Sequence, residues 1–209
     1  MSASKRFTQL VWSAFQRNAG HDSNSFGHLV VKDARPGKVE AVMEVKRHQI
    51  NRLNVRPFAF NIPLMDQTQL AQRLRLTRAT CHLPPPSSPL PLLSRLQGLH
   101  GGLIASLVDT MGSLALASKG LYMTGVSTDM SQTFVRGAKL GETVRIQSEL
   151  VNLGKTLAFT RIELFSAESG KLLAFGSHTK YIADALKSDK NVKFSEDGEQ
   201  LVQGEMPRE

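Results

Sequence analysis

Two groups able to do chemistry lie close together in the stretch Leu99–Gly120: the pair Gly101-Gly102 and the carboxylate of Asp109. Small and apolar residues fill positions 103–117 between and beyond them, so the stretch reads as a helix of about eighteen residues, about 27 Å long. It is apolar almost all round and should be buried with something wrapped about it. Burying an unpaired carboxylate costs several kcal/mol, so a lone aspartate in such a helix needs a reason. The glycine pair lets the backbone approach a ligand closely, and the first helical turn offers unpaired N–H groups with a partial positive charge. That suits an oxyanion. The donors and the carboxylate are separated by about 12 Å along the axis, so one helix cannot bring both to the same carbonyl. Two antiparallel copies can, which argues for a site built across a two-fold dimer.

The rest of the chain supplies the elements that must hold this helix. Residues 4–18 form an amphipathic helix, with Phe7, Leu10, Val11, Ala14 and Phe15 on one face. It is basic and has no acidic residue before Asp22, as in mitochondrial presequences. Residues 28–34, a turn at Arg35-Pro36-Gly37 and residues 39–45 form a hairpin with one buried face. Four further strands follow the helix, at Val126–Val135, Thr143–Asn152, Thr156–Ser166 and Leu172–Ile182. In the first of them the alternation puts Val126, Thr128, Met130, Gln132 and Phe134 on one face. Short connections make these an antiparallel meander. The expected class is α+β, about six antiparallel strands around one long helix, with a flat α+β sandwich as the alternative. Gly120 sits where a left-handed helix stop belongs. Residues 183–209 are polar and charged and are expected to be a disordered or weakly helical tail.

The segment H-G-G-x-x-x-x-x-x-D from His100 to Asp109, with Gly125–Met130, Ala138–Glu142, Gly154–Thr160 and Gly176–Lys180, resembles the hotdog-fold acyl-CoA thioesterases. The similarity points to the acyl-CoA thioesterase 13 (thioesterase superfamily member 2) branch, of fungal type, and covers residues 4–54 and 98–182. It implies a hotdog fold, with residues 4–18 as a short lead-in helix. It also implies hydrolysis of medium- or long-chain fatty acyl-CoA to free acid and coenzyme A, and a homodimer or dimer of dimers. No cofactor is expected beyond the coenzyme A of the substrate.

Carried over residue by residue, the resemblance makes Asp109 the general base or nucleophile and the Gly101 N–H the oxyanion donor. It makes His100 a substrate contact, Asn51 the group that holds the thioester or the water, and Ser127 the residue that orients the carboxylate or the water. Gln49 replaces a commoner histidine, and Ser131 stands where asparagine is usual. Lys155, His178 and Lys180 could meet the phosphates of coenzyme A, or be ordinary solvated charges at strand ends. The scattered histidines and the single Cys81 give no credible metal site, and neither a G-x-S-x-G elbow nor a P-loop is present.

Residues 55–97 do not fit this frame. They hold seven of the nine prolines and the only cysteine, but no Gly, Lys or Glu. Pro84–Pro91 cannot be helix or central strand, and a structureless loop of this length inside a compact domain is itself anomalous. Deleting them joins Asn51-Arg52-Leu53-Asn54 to Gly98-Leu99-His100-Gly101, the spacing that the resemblance calls for. The segment reads as a translated, unspliced intron: Val55 requires a codon beginning GT, and Gln97 can be CAG. The competing reading is a genuine Pro-rich, partner-binding insertion. An insertion beside the site raises the alternative of a catalytically impaired acyl-CoA-binding or scaffold protein.

The net charge of +8 is uneven: +5 over residues 1–54, +4 over 55–97, +2 over 98–182 and −3 over 183–209. The near-neutral core and the lack of any nucleic-acid-binding motif argue against a nucleic-acid partner. Nor does any uninterrupted apolar run reach the length of a membrane span. One cysteine excludes an internal disulfide and fits a reducing compartment, cytoplasmic or mitochondrial.

Overall fold

The computed structural model describes residues 1–17, 20–51 and 98–207. The Pro-rich stretch 55–97 lies outside the described residues. Helices α1 (Ala3–Arg17) and α2 (His21–Phe26) lead into strands β1 (Val30–Arg35) and β2 (Lys38–Glu44), then a 3-10 turn at Arg47–Gln49. The central helix α3 spans Gly101–Ser118 and is followed by β3 (Val126–Phe134), β4 (Thr143–Leu153), β5 (Leu157–Ser166) and β6 (Leu172–Tyr181). The six strands form one antiparallel sheet in the order β1-β2-β4-β5-β6-β3. This is the hotdog arrangement expected from the sequence.

Packing follows from the strand alternation. Val144, Ile146, Ile162, Leu164 and Ala174 are fully buried on the sheet and meet Leu107, Val108, Met111 and Leu114 of α3 in one core. By length and hydropathy α3 could cross a membrane, but 67% of it is buried inside this fold. It is a core helix. His100 is its N-cap, and Gly120 adopts φ +106° just past its end, the left-handed stop expected there.

β3 departs from simple alternation. Its pairing with β6 shifts between Ser127, opposite Lys180, and Asp129, opposite Thr179. The extra residue moves the residues before it to the other face. Ser127, and not Val126, therefore shares the inner face with Met130 and Gln132.

The tail also differs from the expected disordered or weakly helical segment. Residues 185–187 form a 3-10 turn, and β7 (Lys193–Phe194) pairs antiparallel with β8 (Leu201–Gln203). Val192, Phe194, Leu201 and Met206 pack on Phe7, Val11 and Ala117, while Ala3 and Ser4 donate backbone N–H groups to Glu199 and Gly198. Four well-spaced apolar anchors suffice to dock a segment whose average composition is polar. With Phe7, Val11 and Trp12 buried, the apolar face of α1 is part of the core. Cleaving it as a presequence would open that core.

Candidate active site

The environment of Asp109 answers the question its position raises. Ser127 Oγ donates a hydrogen bond to Asp109 Oδ1 at 3.1 Å. Lys180 Nζ lies 3.6 Å and His178 Nε2 3.4 Å from the same oxygen. The carboxylate is thus buried on one side and retains 48% of its side-chain surface on the other. Three residues from β3 and β6 converge on one from α3.

His178 is fully buried. Its Nε2 is 2.9 Å from Ser127 Oγ, whose own proton goes to Asp109, so the neutral ring donates from Nε2 and leaves Nδ1 bare. Nδ1 is buried and has no hydrogen-bond partner. Protonating it would strand a charged N–H, and burial, reinforced by the Lys180 charge, holds the His178 pKa below its ordinary value. Space for the ring comes from Gly112, where a Cβ would lie 2.7 Å from both His178 Nδ1 and Thr160 Oγ1.

Lys180 is 4% exposed and donates from Nζ to Ser113 Oγ at 2.7 Å. Burial lowers its pKa, and the adjacent Asp109 carboxylate opposes that shift. His178 and Lys180 are two residues apart on one strand and share its inner face. The expectation that they meet coenzyme A phosphates is therefore corrected: both turn inward onto Asp109. Phe175, Ser177 and Tyr181 are the exposed alternates of that strand. The small residues Ala174 and Gly176 on the inner face were the available signal that a helix lies close. Lys155 is exposed in the turn before β5.

The other half of the site lies at the N-terminus of α3. His100 Nδ1 accepts from Gly102 N–H at 2.9 Å, which puts the proton of the neutral imidazole on Nε2. Among the described residues Gly101 N–H has no hydrogen-bond partner, and the Phe134 ring lies over this glycine, 3.3 Å from where a Cβ would stand. His100 N–H donates to Gln49 O and Asn51 N–H to Gly98 O. Asn51, His100 and Gly101 are thus brought together although 52–97 separates them in sequence. Gln49 is a brace: its side chain bonds Lys46 N–H and Ser25 O, and it is 2% exposed.

Sequence reasoning missed a further neighbour of the central helix, the short helix α2. His21 Nε2 is 2.8 Å from Ser106 Oγ, and Thr110 Oγ1 donates to Asp22 Oδ1 at 3.3 Å. Burial raises the Asp22 pKa, and Asp109 adds to the shift. A six-residue helix is too short to show a period.

A profile of the thioesterase superfamily matches residues 96–173. A Schizosaccharomyces pombe protein carrying a provisional esterase name is 31% identical over 186 residues, 88% of each chain. The chain belongs to the thioesterase superfamily. Human acyl-coenzyme A thioesterase 13 is 45% identical over 86 residues, which are 41% of this thioesterase-superfamily chain and 61% of the human one. The crystal structure of zebrafish thioesterase superfamily member 2 superposes with a TM-score of 0.58 at 27% identity, over 82% of this chain and 93% of that one.

A thioesterase-superfamily site needs an activated water or a carboxylate nucleophile, together with N–H donors aimed at the tetrahedral oxyanion. Asp109, set among Ser127, His178 and Lys180, can serve as the first. The free Gly101 N–H at a helix N-terminus can serve as the second.

Proposed function

We propose that the chain hydrolyses acyl-CoA thioesters of medium or long chain length to the free acid and coenzyme A. The observation that carries this reading is a half-exposed carboxylate in the middle of a core helix, Asp109, held by Ser127 and two buried basic side chains. Kinship with chains named acyl-coenzyme A thioesterase supports the substrate class.

In this reading the thioester carbonyl receives the Gly101 N–H of one protomer while Asp109 of the other activates water or attacks directly. Asn51 and His100 flank the carbonyl, Ser127 orients the carboxylate, and Lys155 is left as the surface candidate for the phosphates. The exposed edge strand β3, with Val126 68% and Phe134 54% exposed, supports pairing with a second copy. The exposed apolar residues Leu157, Phe159, Phe175 and Tyr181 of β5 and β6 support a dimer of dimers.

The test is thiol release from lauroyl-coenzyme A by the full chain and by Asp109→Ala. We expect hydrolysis by the full chain and a loss of at least about 100-fold in the variant. Equal rates would remove Asp109 from the mechanism, and no hydrolysis by the full chain would favour a binding protein.

A further inference from the structure

We propose that Lys180 is a positioning residue of the reaction. It draws Oδ1 of Asp109 inward while its own short hydrogen bond goes to Ser113, and so presents Oδ2 as the reacting oxygen. The inference rests on Asp109 acting as proposed above.

The placement is built from distances around one turn of α3. Asp109 and Ser113 are four residues apart and lie on the same face of the helix. Lys180 Nζ reaches both, at 2.7 Å from Ser113 Oγ and 3.6 Å from Asp109 Oδ1. The Ser127 hydroxyl donates to that same Oδ1 at 3.1 Å, and His178 Nε2 lies 3.4 Å from it. Among the described residues no hydrogen bond reaches Oδ2. Ser113 and Lys180 are buried, whereas about half of the Asp109 side chain is open. The anchored oxygen is thus the inner one, and the other keeps its lone pairs for the open side.

The division of Lys180 between two acceptors matters for the chemistry. A lysine donating straight to a carboxylate forms a charge-assisted hydrogen bond of about 2.7–2.9 Å. Such a bond stabilises the very anion that must take a proton or attack a carbonyl. Here Ser113 takes the short bond, and 3.6 Å leaves the attraction of the charges without a shared proton. The ammonium therefore fixes which oxygen turns inward and leaves the other unengaged. Stability does not require it. An apolar side chain of similar length would fill the space without the cost of burying a charge, and the carboxylate left behind would still have solvent on its open side.

The experiment measures thermal unfolding and lauroyl-coenzyme A hydrolysis for the full chain, Lys180→Met and Ser113→Ala. We expect Lys180→Met to melt at or above the wild-type temperature. Its kcat should fall roughly 30- to 100-fold, with KM within about twofold of wild type. Ser113→Ala leaves the ammonium no acceptor but Asp109, so kcat should fall roughly threefold to tenfold at unchanged KM.

A wild-type kcat in Lys180→Met overturns the inference. So does a loss of kcat in step with a lowered melting temperature, which marks a structural role, or a raised KM at unchanged kcat, which marks a binding one. If Lys180→Met does not fold, Ser113→Ala decides, and an unchanged kcat there overturns the inference. Asp109→Ala separates this failure from that of the parent reading. If Asp109→Ala abolishes hydrolysis while Lys180→Met behaves as wild type, only the role of Lys180 is lost. If Asp109→Ala is fully active, both are lost.

Discussion

Lys180 Nζ lies 3.6 Å from Asp109 Oδ1, although Lys180 is 4% exposed and Asp109 sits on the apolar central helix. Each charge makes the other tolerable. A lone ammonium at that depth would cost several kcal/mol, and the open side of Asp109 keeps the pair in contact with solvent. The same opening is where a reacting carbonyl can enter.

The oxyanion role of Gly101 can be tested without disturbing the helix. Gly101 is the first helical residue, where proline is tolerated because its missing N–H is unpaired in any case. His100 has φ −65° and ψ 132°, a conformation that suits the residue before proline. Gly101→Pro should keep the circular-dichroism spectrum and lower kcat by roughly 10²–10³. Mixing it with Asp109→Ala should then recover part of the activity if the site spans two protomers.

The buried neutral state of His178 has a signature in stability. Its folded pKa is lowered, so between the ordinary value of 6.5 and the folded one the unfolded chain binds a proton that the folded chain refuses. Stability should therefore fall as pH drops through that window, by up to about 1.4 kcal/mol per pH unit. Asp22, whose pKa is raised, works in the opposite sense between 3.8 and its folded value. Urea unfolding of wild type and His178→Asn at several pH values should show the first dependence only in the wild type.

Gly112→Ala should couple stability to activity. The added methyl would stand 2.7 Å from His178 Nδ1 and Thr160 Oγ1, so the ring must shift from its place against Ser127. Overpacking of this kind costs about 1–3 kcal/mol. Thermal unfolding should report that loss, and kcat should fall with it.

Removing residues 55–97 should leave the fold intact. Asn51 N–H and Gly98 O are 2.9 Å apart, and Arg52-Leu53-Asn54 suffices to close so short a gap. We expect an unchanged or higher melting temperature, because the shorter loop is easier to close. We also expect an increase in kcat/KM of about tenfold or more, because the segment interrupts the chain between Asn51 and His100. Unchanged kinetics would show that the segment does not obstruct the site.

The central helix, the six strands and the carboxylate–glycine pair were legible from residue order alone, because their signals are local. An apolar run bounded by Gly-Gly and Gly120 marks α3, and alternation with glycine turns marks β4, β5 and β6. The strand β3 was located, but its face was misjudged, since one bulged residue inverts the alternation and nothing in the sequence marks it. The tail was misjudged because composition averages over Val192, Phe194, Leu201 and Met206, and four anchors outweigh their charged neighbours once a docking face exists.

What only the tertiary structure decided is which side chains meet Asp109. Ser127, which the resemblance already set beside the carboxylate, reaches it through the bulge of β3, and His178 and Lys180 through the register of β6 against α3; Asp22 meets the neighbouring Thr110 from a helix too short to have a period. Helix and strand formation depend on neighbours a few residues apart, and such spacing is written in the chain. The contacts to Asp109 come from side chains up to 71 positions away along the chain, at Lys180. Their distances are set by sheet registry and close packing, and these exist only after folding.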